Sequence, residues 1–207
     1  MSVGAADAQA FERCIAGGGV AVFPADTVYG LACDPASETA VARLYELKGR
    51  PADKPAAVMF FALEPALAAL PELGARTRAA LAALLPGGVT VLVANPRRRF
   101  ALACGPDPDT LGLRVPALGA PISALRAVAL PVLQSSANPA GGSDARTLAD
   151  VDPAIRAGAD LVLDGGALGG VASTVLDLRG YEDGRSWSVL REGAVDGAAI
   201  SRALGGV

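Results

Sequence analysis

Short apolar runs alternate along this chain with stretches of helical spacing, and that alternation limits the architecture more than any other feature. VAVF (20–23), AAVMFF (56–61), VTVLVA (89–94), LGLRV (111–115) and PVLQS (131–135) are each strand-length, and weaker strands follow at 160–163, 173–178 and 187–191. Between them, 5–16, 37–48, 75–85, 120–129 and 196–204 read as helices. In 37–48, Ser37 can cap the start, and Val41, Leu44, Tyr45 and Lys48 fall at helical spacing. Glycines 17–19 end the first helix, and Pro86-Gly87-Gly88 ends the third. Strands interleaved with helices predict an α/β fold, a twisted mixed sheet flanked by helices. The chain shows no internal repeat and no dividing linker, so a single domain over 1–207 is expected. A domain of this size buries about 70% of its unfolded surface and needs no disulfide or metal staple.

The same pattern excludes a membrane span. The longest uncharged stretch, 79–96, is cut in half by Pro-Gly-Gly, and a spanning helix needs about 20 apolar residues. The N-terminal residues lack the basic start and apolar core of a signal peptide, so a soluble, cytoplasmic protein is expected.

Composition removes several chemistries. The chain has no histidine, which excludes Ser-His-Asp and Cys-His catalysis and His-ligated zinc. Its 3 cysteines, Cys14, Cys33 and Cys104, form no CxxC and read as reduced and buried. No resident metal site is read from the sequence. With 18 basic and 21 acidic residues the net charge is −3, which argues against a broad nucleic-acid face while leaving room for a small basic pocket. The arginine run 97–99 reads as a solvated loop.

Four segments place polar groups where strands end. FPADTVYGLACD (23–34) presents Asp26 and Thr27 on a turn after a strand, either an ordinary turn or a ligand loop of the kind open α/β sheets use. KGRPADKP (48–55) gathers Lys48, Arg50 and Lys54 beside two prolines. A cation at a helix C-terminus is stabilised by the dipole alone, yet three together suit a polyphosphate. The chain carries neither a Walker loop nor a GxGxxG turn, so phosphate would be held by side chains. TLGLRVP (110–116) carries Arg114 alone in an apolar strand, where it requires an anionic partner, an internal carboxylate or a substrate's. QSSANPAGG (134–142) sets two serines and an asparagine at a strand end as donors and acceptors, because nothing present can activate a serine as nucleophile.

Taken in order, PADTVYGL (24–31), KGRPADKP (48–55), PGGVT (86–90), LRVP (113–116), SSANPAG (135–141), STVLD (173–177) and LREG (190–193) resemble the motif series of the YrdC/TsaC family, the L-threonylcarbamoyl-AMP synthases. The resemblance covers about residues 10–195. It departs at Ala25, where the family has Thr; at Gly88, where it has Pro; at Met59, where many longer members have His; and at Pro139 and Ala140 after SSAN. The additional C-terminal domain of longer members is not expected here.

What the resemblance implies is a YrdC-like fold and a nucleotidyltransferase. It would make threonylcarbamoyl-adenylate and pyrophosphate from ATP, L-threonine and bicarbonate or CO2, toward N6-threonylcarbamoyladenosine at tRNA position 37. Mg2+ would accompany ATP, a separate transferase machinery would consume the product, and tRNA would be bound weakly at most. By resemblance Lys48 and Arg50 are catalytic. Lys48, Arg50, Lys54, Thr110, Ser136, Asn138, Thr147 and Arg191 line the ATP side, and Thr27, Arg114, Ser136 and Ser173 hold threonine. Two other classes share the fold: a carbamoyl-transfer domain of hydrogenase-maturation type, normally part of a much longer chain, and an RNA-binding module. The acidic balance and an aromatic content of 4% disfavour the latter. Within WSVLREG, strand alternation puts Arg191 on the side of Val189, emerging at the strand mouth.

Overall fold

The computed structural model describes residues 1–184 and 186–206. Nine strands form one sheet: β1 (Ala21–Pro24), β2 (Tyr29–Cys33), β3 (Ala57–Met59), β4 (Val89–Ala94), β5 (Thr110–Arg114), β6 (Val132–Ser136), β7 (Leu161–Val162), β8 (Thr174–Asp177) and β9 (Ser188–Arg191). Their spatial order is β7-β1-β2-β6-β3-β5-β4-β8-β9. The pairs β1/β7, β3/β5 and β4/β8 are parallel, and the remaining neighbours are antiparallel. Eight helices accompany them: α1 (Ala5–Ala16), α2 (Glu38–Lys48), α3 (Leu63–Ala69), α4 (Ala75–Leu84), α5 (Ala101–Cys104), α6 (Pro153–Gly158), α7 (Tyr181–Gly184) and α8 (Gly197–Leu204). No helix among the described residues is long and apolar enough to cross a membrane.

The two faces of the sheet are covered unequally, and this creates the site. On one face the inward residues Val22, Leu31, Val58, Val91, Leu113, Leu133 and Leu176 pack under α2 to α8 in the larger core. On the other face only α1 and the 3₁₀ turn Ser123–Ala127 supply cover, with Phe11, Ile15 and Leu125 packed on Phe23, Met59 and Phe61. Phe11 stacks 5.2 Å from Phe23 and 5.6 Å from Phe61, centroid to centroid. The rest of that second face carries Ala57, Thr90, Gly112, Arg114, Gln134, Ser136 and Val175, by strand alternation and register. Small residues there keep the floor low. A Cβ at Gly112 would press on Ala57 at 3.4–3.7 Å, and one at Gly30 would sit 3.0 Å from the Gln134 side-chain nitrogen.

Helix α2 shows how local sequence aims a functional group. Ser37 Oγ accepts the Ala40 N–H at 3.2 Å to start it. Gly49, at φ +58°, ends it with its N–H on Glu46 O and the Arg50 N–H on Tyr45 O. Lys48, the last helical residue, lies on the buried stripe with Ala40, Val41, Leu44 and Tyr45.

The sequence reading gave no account of the short helices α3, α5, α6 and α7, and it needs three further corrections. The expected helix 120–129 is a 3₁₀ turn of five residues, Ser123–Ala127, which follows Gly119 and Pro121 and has no side-chain cap. Strand β2 was not anticipated; it occupies the TVYGLAC segment, between β1 and β6. In β9 the register shifts, since Leu176 pairs with Val189 but Val175 pairs with Arg191. Val189 therefore shares the core face with Leu176, while Arg191 shares the open face with Val175, opposite to the expected alternation.

Candidate functional site

A polar cavity of about 170 Å³ lies on the uncovered sheet face. The loop after α2 brings Arg50 to it, β5 brings Arg114, β6 brings Gln134 and Ser136, the turn before β8 brings Ser173, and the end of β9 brings Arg191. A second, mostly apolar cavity of about 380 Å³ shares Pro55, Ala56, Ala57, Thr90 and Val175 with it, and its far rim carries Asp107, Thr110 and Arg179.

Each expected residue has a definite place. Lys48 is only 3% exposed, and its Nζ donates to Ser136 O and Asn138 O at 2.6 Å and to Asn138 Oδ1 at 3.0 Å, with Ser136 Oγ at 3.3 Å. An ammonium has three protons, so these oxygens use it fully. Burial pulls the Lys48 pKa down to about 8, with Arg50 adding to the shift and Asp144 opposing it. The backbone repeats the contact, the Ala140 N–H donating to Lys48 O at 2.9 Å. Lys48 therefore clamps the SSAN loop to the end of α2 and does not face an open phosphate site, which departs from the sequence expectation.

Within that loop Ser136 Oγ donates to Asn138 Oδ1 at 2.5 Å, and Asn138 Nδ2 donates to Gly142 O at 2.6 Å. Arg50 donates Nη2 to Pro55 O at 2.6 Å and lies over the Tyr45 ring at 5.8 Å. Arg114 donates to the Asp26 carboxylate and, at 2.6 Å, to Thr27 Oγ1. The internal carboxylate left open by the sequence is thus Asp26, which also accepts the Ala117 N–H at 3.0 Å. Ser173 Oγ and Thr90 Oγ1 are 2.8 Å apart, and Arg191 Nη2 donates to Ser173 O at 2.6 Å. Gly193 lets β9 end against this turn: a Cβ there would meet Ala172 O at 2.3 Å.

Six expected residues are not in the wall of the polar cavity: Thr27, Lys48 and Asn138 are buried, and Thr147, Lys54 and Thr110 stand elsewhere. Thr147 precedes the 3₁₀ turn Leu148–Asp150, its N–H donating to Asp150 at 2.8 Å, and lines neither cavity. Lys54 is exposed and absent from both walls. Thr110 belongs to the apolar cavity, where its hydroxyl donates to Asp107 at 2.6 Å and accepts from Arg179 at 3.2 Å.

The sequence reading missed Asp26 as the partner of Arg114, and it missed Gln134, Asp144 and Arg179. Gln134 carried a usable signal, a polar residue inside an apolar strand, the same that marked Arg114. Arg179, held by Asp177 at 2.7 Å, carried none.

The arrangement suits anions without a protein nucleophile. Burial pushes the Cys33 thiol up to about 12, and Cys104 is also raised. Among the described residues no group of three or more His, Cys, Asp or Glu could hold a metal. Arg50 Nε and Arg114 Nε are sealed from solvent and have no partner, two of the three such buried side-chain atoms among the described residues. Guanidinium groups gathered on one cavity, those of Arg50, Arg114 and Arg191, indicate an anion-binding site.

Comparison with known proteins agrees with the geometry. The family model for Sua5, YciO and YrdC, described as "Telomere recombination", matches residues 13–193. A Xanthomonas campestris pv. campestris (strain B100) protein named threonylcarbamoyl-AMP synthase is 35% identical over 188 residues, 90% of this chain and 97% of that one. A P. abyssi Sua5 crystal structure complexed with L-threonine superimposes with TM-score 0.82 at 27% identity over 98% of this chain, which spans 58% of that protein's length. The E. coli YciO crystal structure gives TM-score 0.77 at 23% identity, covering 95% of this chain and 94% of that one.

Proposed function

The chain belongs to the Sua5/YciO/YrdC family, and from that premise we propose that it is a threonylcarbamoyl-AMP synthase acting on ATP, L-threonine and bicarbonate. The observation that carries the reading is the placement of two guanidinium groups, those of Arg50 and Arg114, in the walls of one polar cavity. Two anionic substrates need two such anchors.

The chemistry asks little of a general base. Threonine's amine and bicarbonate give a carbamate and water. A carbamate oxygen then attacks the α-phosphorus of ATP; the new O–P bond forms as the bond to the β-phosphate breaks, and pyrophosphate leaves. The nucleophile is already anionic, so catalysis rests on alignment and on neutralising phosphate charge. Arg114, its Nη2 committed to Asp26 and Thr27, has Nη1 left for the threonine carboxylate, with Ser173 and Thr90 alongside. Arg50 and Arg191 approach from the phosphate side, and Lys48 fixes Ser136 and Asn138 for them. Mg2+ would be held by phosphate oxygens and water, Asp144 being the one carboxylate in the polar wall. The same reading sets the enzyme in the cytoplasm, supplies a separate transferase machinery, and asks for no more than weak tRNA contact.

The test is pyrophosphate release with mass spectrometry of the product. Release that requires both threonine and bicarbonate, with threonylcarbamoyl-AMP formed, is the expected result. Release at the same rate with ATP alone refutes it.

A further inference from the structure

The polar groups lining the cavity are nearly all committed. Thr90 and Ser173 bond each other, Ser136 bonds Asn138, and Arg50, Arg114 and Arg191 each hold a protein oxygen. Gln134 differs. It is only 6% exposed, and its amide makes no hydrogen bond to any described residue. Neither amide atom is among the sealed, unpartnered atoms, so the group opens into the cavity it lines. A buried amide without a partner is costly unless a ligand or water completes it.

Register places this amide between the two anion subsites. Across the sheet one row carries Val132, Met59, Arg114, Thr90 and Val175; the next carries Ala32, Gln134, Ala57, Gly112, Leu92 and Asp177; the next Gly30 and Ser136. Gln134 is thus the one polar side chain of the middle row that lines the polar cavity, flanked by Ala32 and Ala57. The Gly30 Cα lies beneath it, leaving space that a Cβ would take at 3.0 Å.

The geometry points to Gln134 as the residue that orients the carbamate group joining the two substrates, a role that rests on the synthase reading above. A carboxylate or phosphate only accepts hydrogen bonds, and a guanidinium serves it best. A carbamate is different: one edge carries an anionic oxygen and an N–H. A primary amide presents a donor and an acceptor in one plane, so Gln134 can donate to the oxygen while accepting from the N–H. That pairing holds the second carbamate oxygen toward the Ser136 row, where the α-phosphate is to be attacked.

Bicarbonate-dependence kinetics in CO2-depleted buffer, run alongside calorimetric titration of threonine and of ATP separately, test this. Gln134→Leu, similar in size and without polar atoms, should raise the bicarbonate KM or lower kcat at least tenfold. Its affinities for threonine alone and ATP alone should stay within twofold of wild type. Gln134→Glu, isosteric but acceptor-only and negative, should be no better. Gln134→Asn keeps the amide but retracts it, and should recover part of the loss when bicarbonate is saturating; it also serves if Gln134→Leu melts early. A bicarbonate dependence unchanged in Gln134→Leu, or a loss of threonine affinity without bicarbonate, overturns the assignment while leaving the synthase reading intact. A wild-type protein that makes no threonylcarbamoyl-AMP overturns both.

Discussion

Replacing Lys48 with methionine separates a clamp from a phosphate ligand. The ammonium holds the Ser136 and Asn138 carbonyls at 2.6 Å, deep in the protein. Methionine fills a similar volume but donates nothing. Two buried carbonyls are then left without this partner, at about 1–3 kcal/mol each. Relief of the cost of burying the charge offsets part of that. A net loss of about 2–4 kcal/mol is expected, which for a chain of this length lowers the melting point by roughly 5–15 °C. Calorimetry measures it, and hydrogen exchange over 136–142 should accelerate in step. Turnover should fall as well, because Ser136 and Asn138 lose their seat. A Lys48→Met protein that melts like wild type, with unchanged exchange in the loop and no activity, would refute the clamp and return Lys48 to the phosphates.

Three further outcomes follow from the site. Arg114→Ala strands the Asp26 carboxylate in the interior and should cost about 3–5 kcal/mol in urea unfolding; adding Asp26→Asn should recover part of it while the threonine KM stays high. A double variant as unstable as the single one would mean the pair is not the reason. Arg191→Ala, at an exposed strand end, should raise the ATP KM about tenfold or more with the melting point unchanged, and unaltered KM would remove Arg191 from the site. Lys48 has its pKa lowered to about 8, so between there and its unfolded value of about 10.5 the unfolded chain holds a proton the native chain has lost. Stability from this group therefore rises with pH across that window, and the melting gap between wild type and Lys48→Met should widen from pH 7.5 to 9.5; a gap that closes would contradict the lowered pKa.

Much of the fold could be read from periodicity, because an apolar run between glycines and prolines has few options. Helix α2 and its Ser37 cap were explicit in the residues. Strand β2 was hidden because its residues read as a motif-bearing loop running on from a turn, and its partners β1 and β6 are supplied by the tertiary structure. At the site, chemistry was legible and direction was not. The KGRP segment announced three cations, but α2 turns Lys48 inward, Lys54 stays in solvent and Arg50 alone reaches the cavity wall. Arg114 was rightly marked as needing an anion, yet Asp26 lies 88 residues away and only the sheet brings them together. Gln134 escaped because serines and an asparagine follow it directly, and side-chain commitment cannot be counted before the contacts exist.

The shifted register at Leu190 makes the end of the chain a matter of parity. With Val189 and Arg191 on opposite faces, the strand spends one residue without a ladder partner to turn its last cation outward. Were the ladder to run on without that shift, Leu190 would take the place opposite Val175 and Arg191 would swing to the core face, delivering Glu192 to the cavity and exchanging a positive group for a negative one beside the phosphates. Gly193 would slide as well, out of the one position where the Ala172 carbonyl leaves no room for a side chain. A slip of a single position, invisible to any tally of charge or hydrophobicity, would thus reverse the electrostatic sign of one wall of the site.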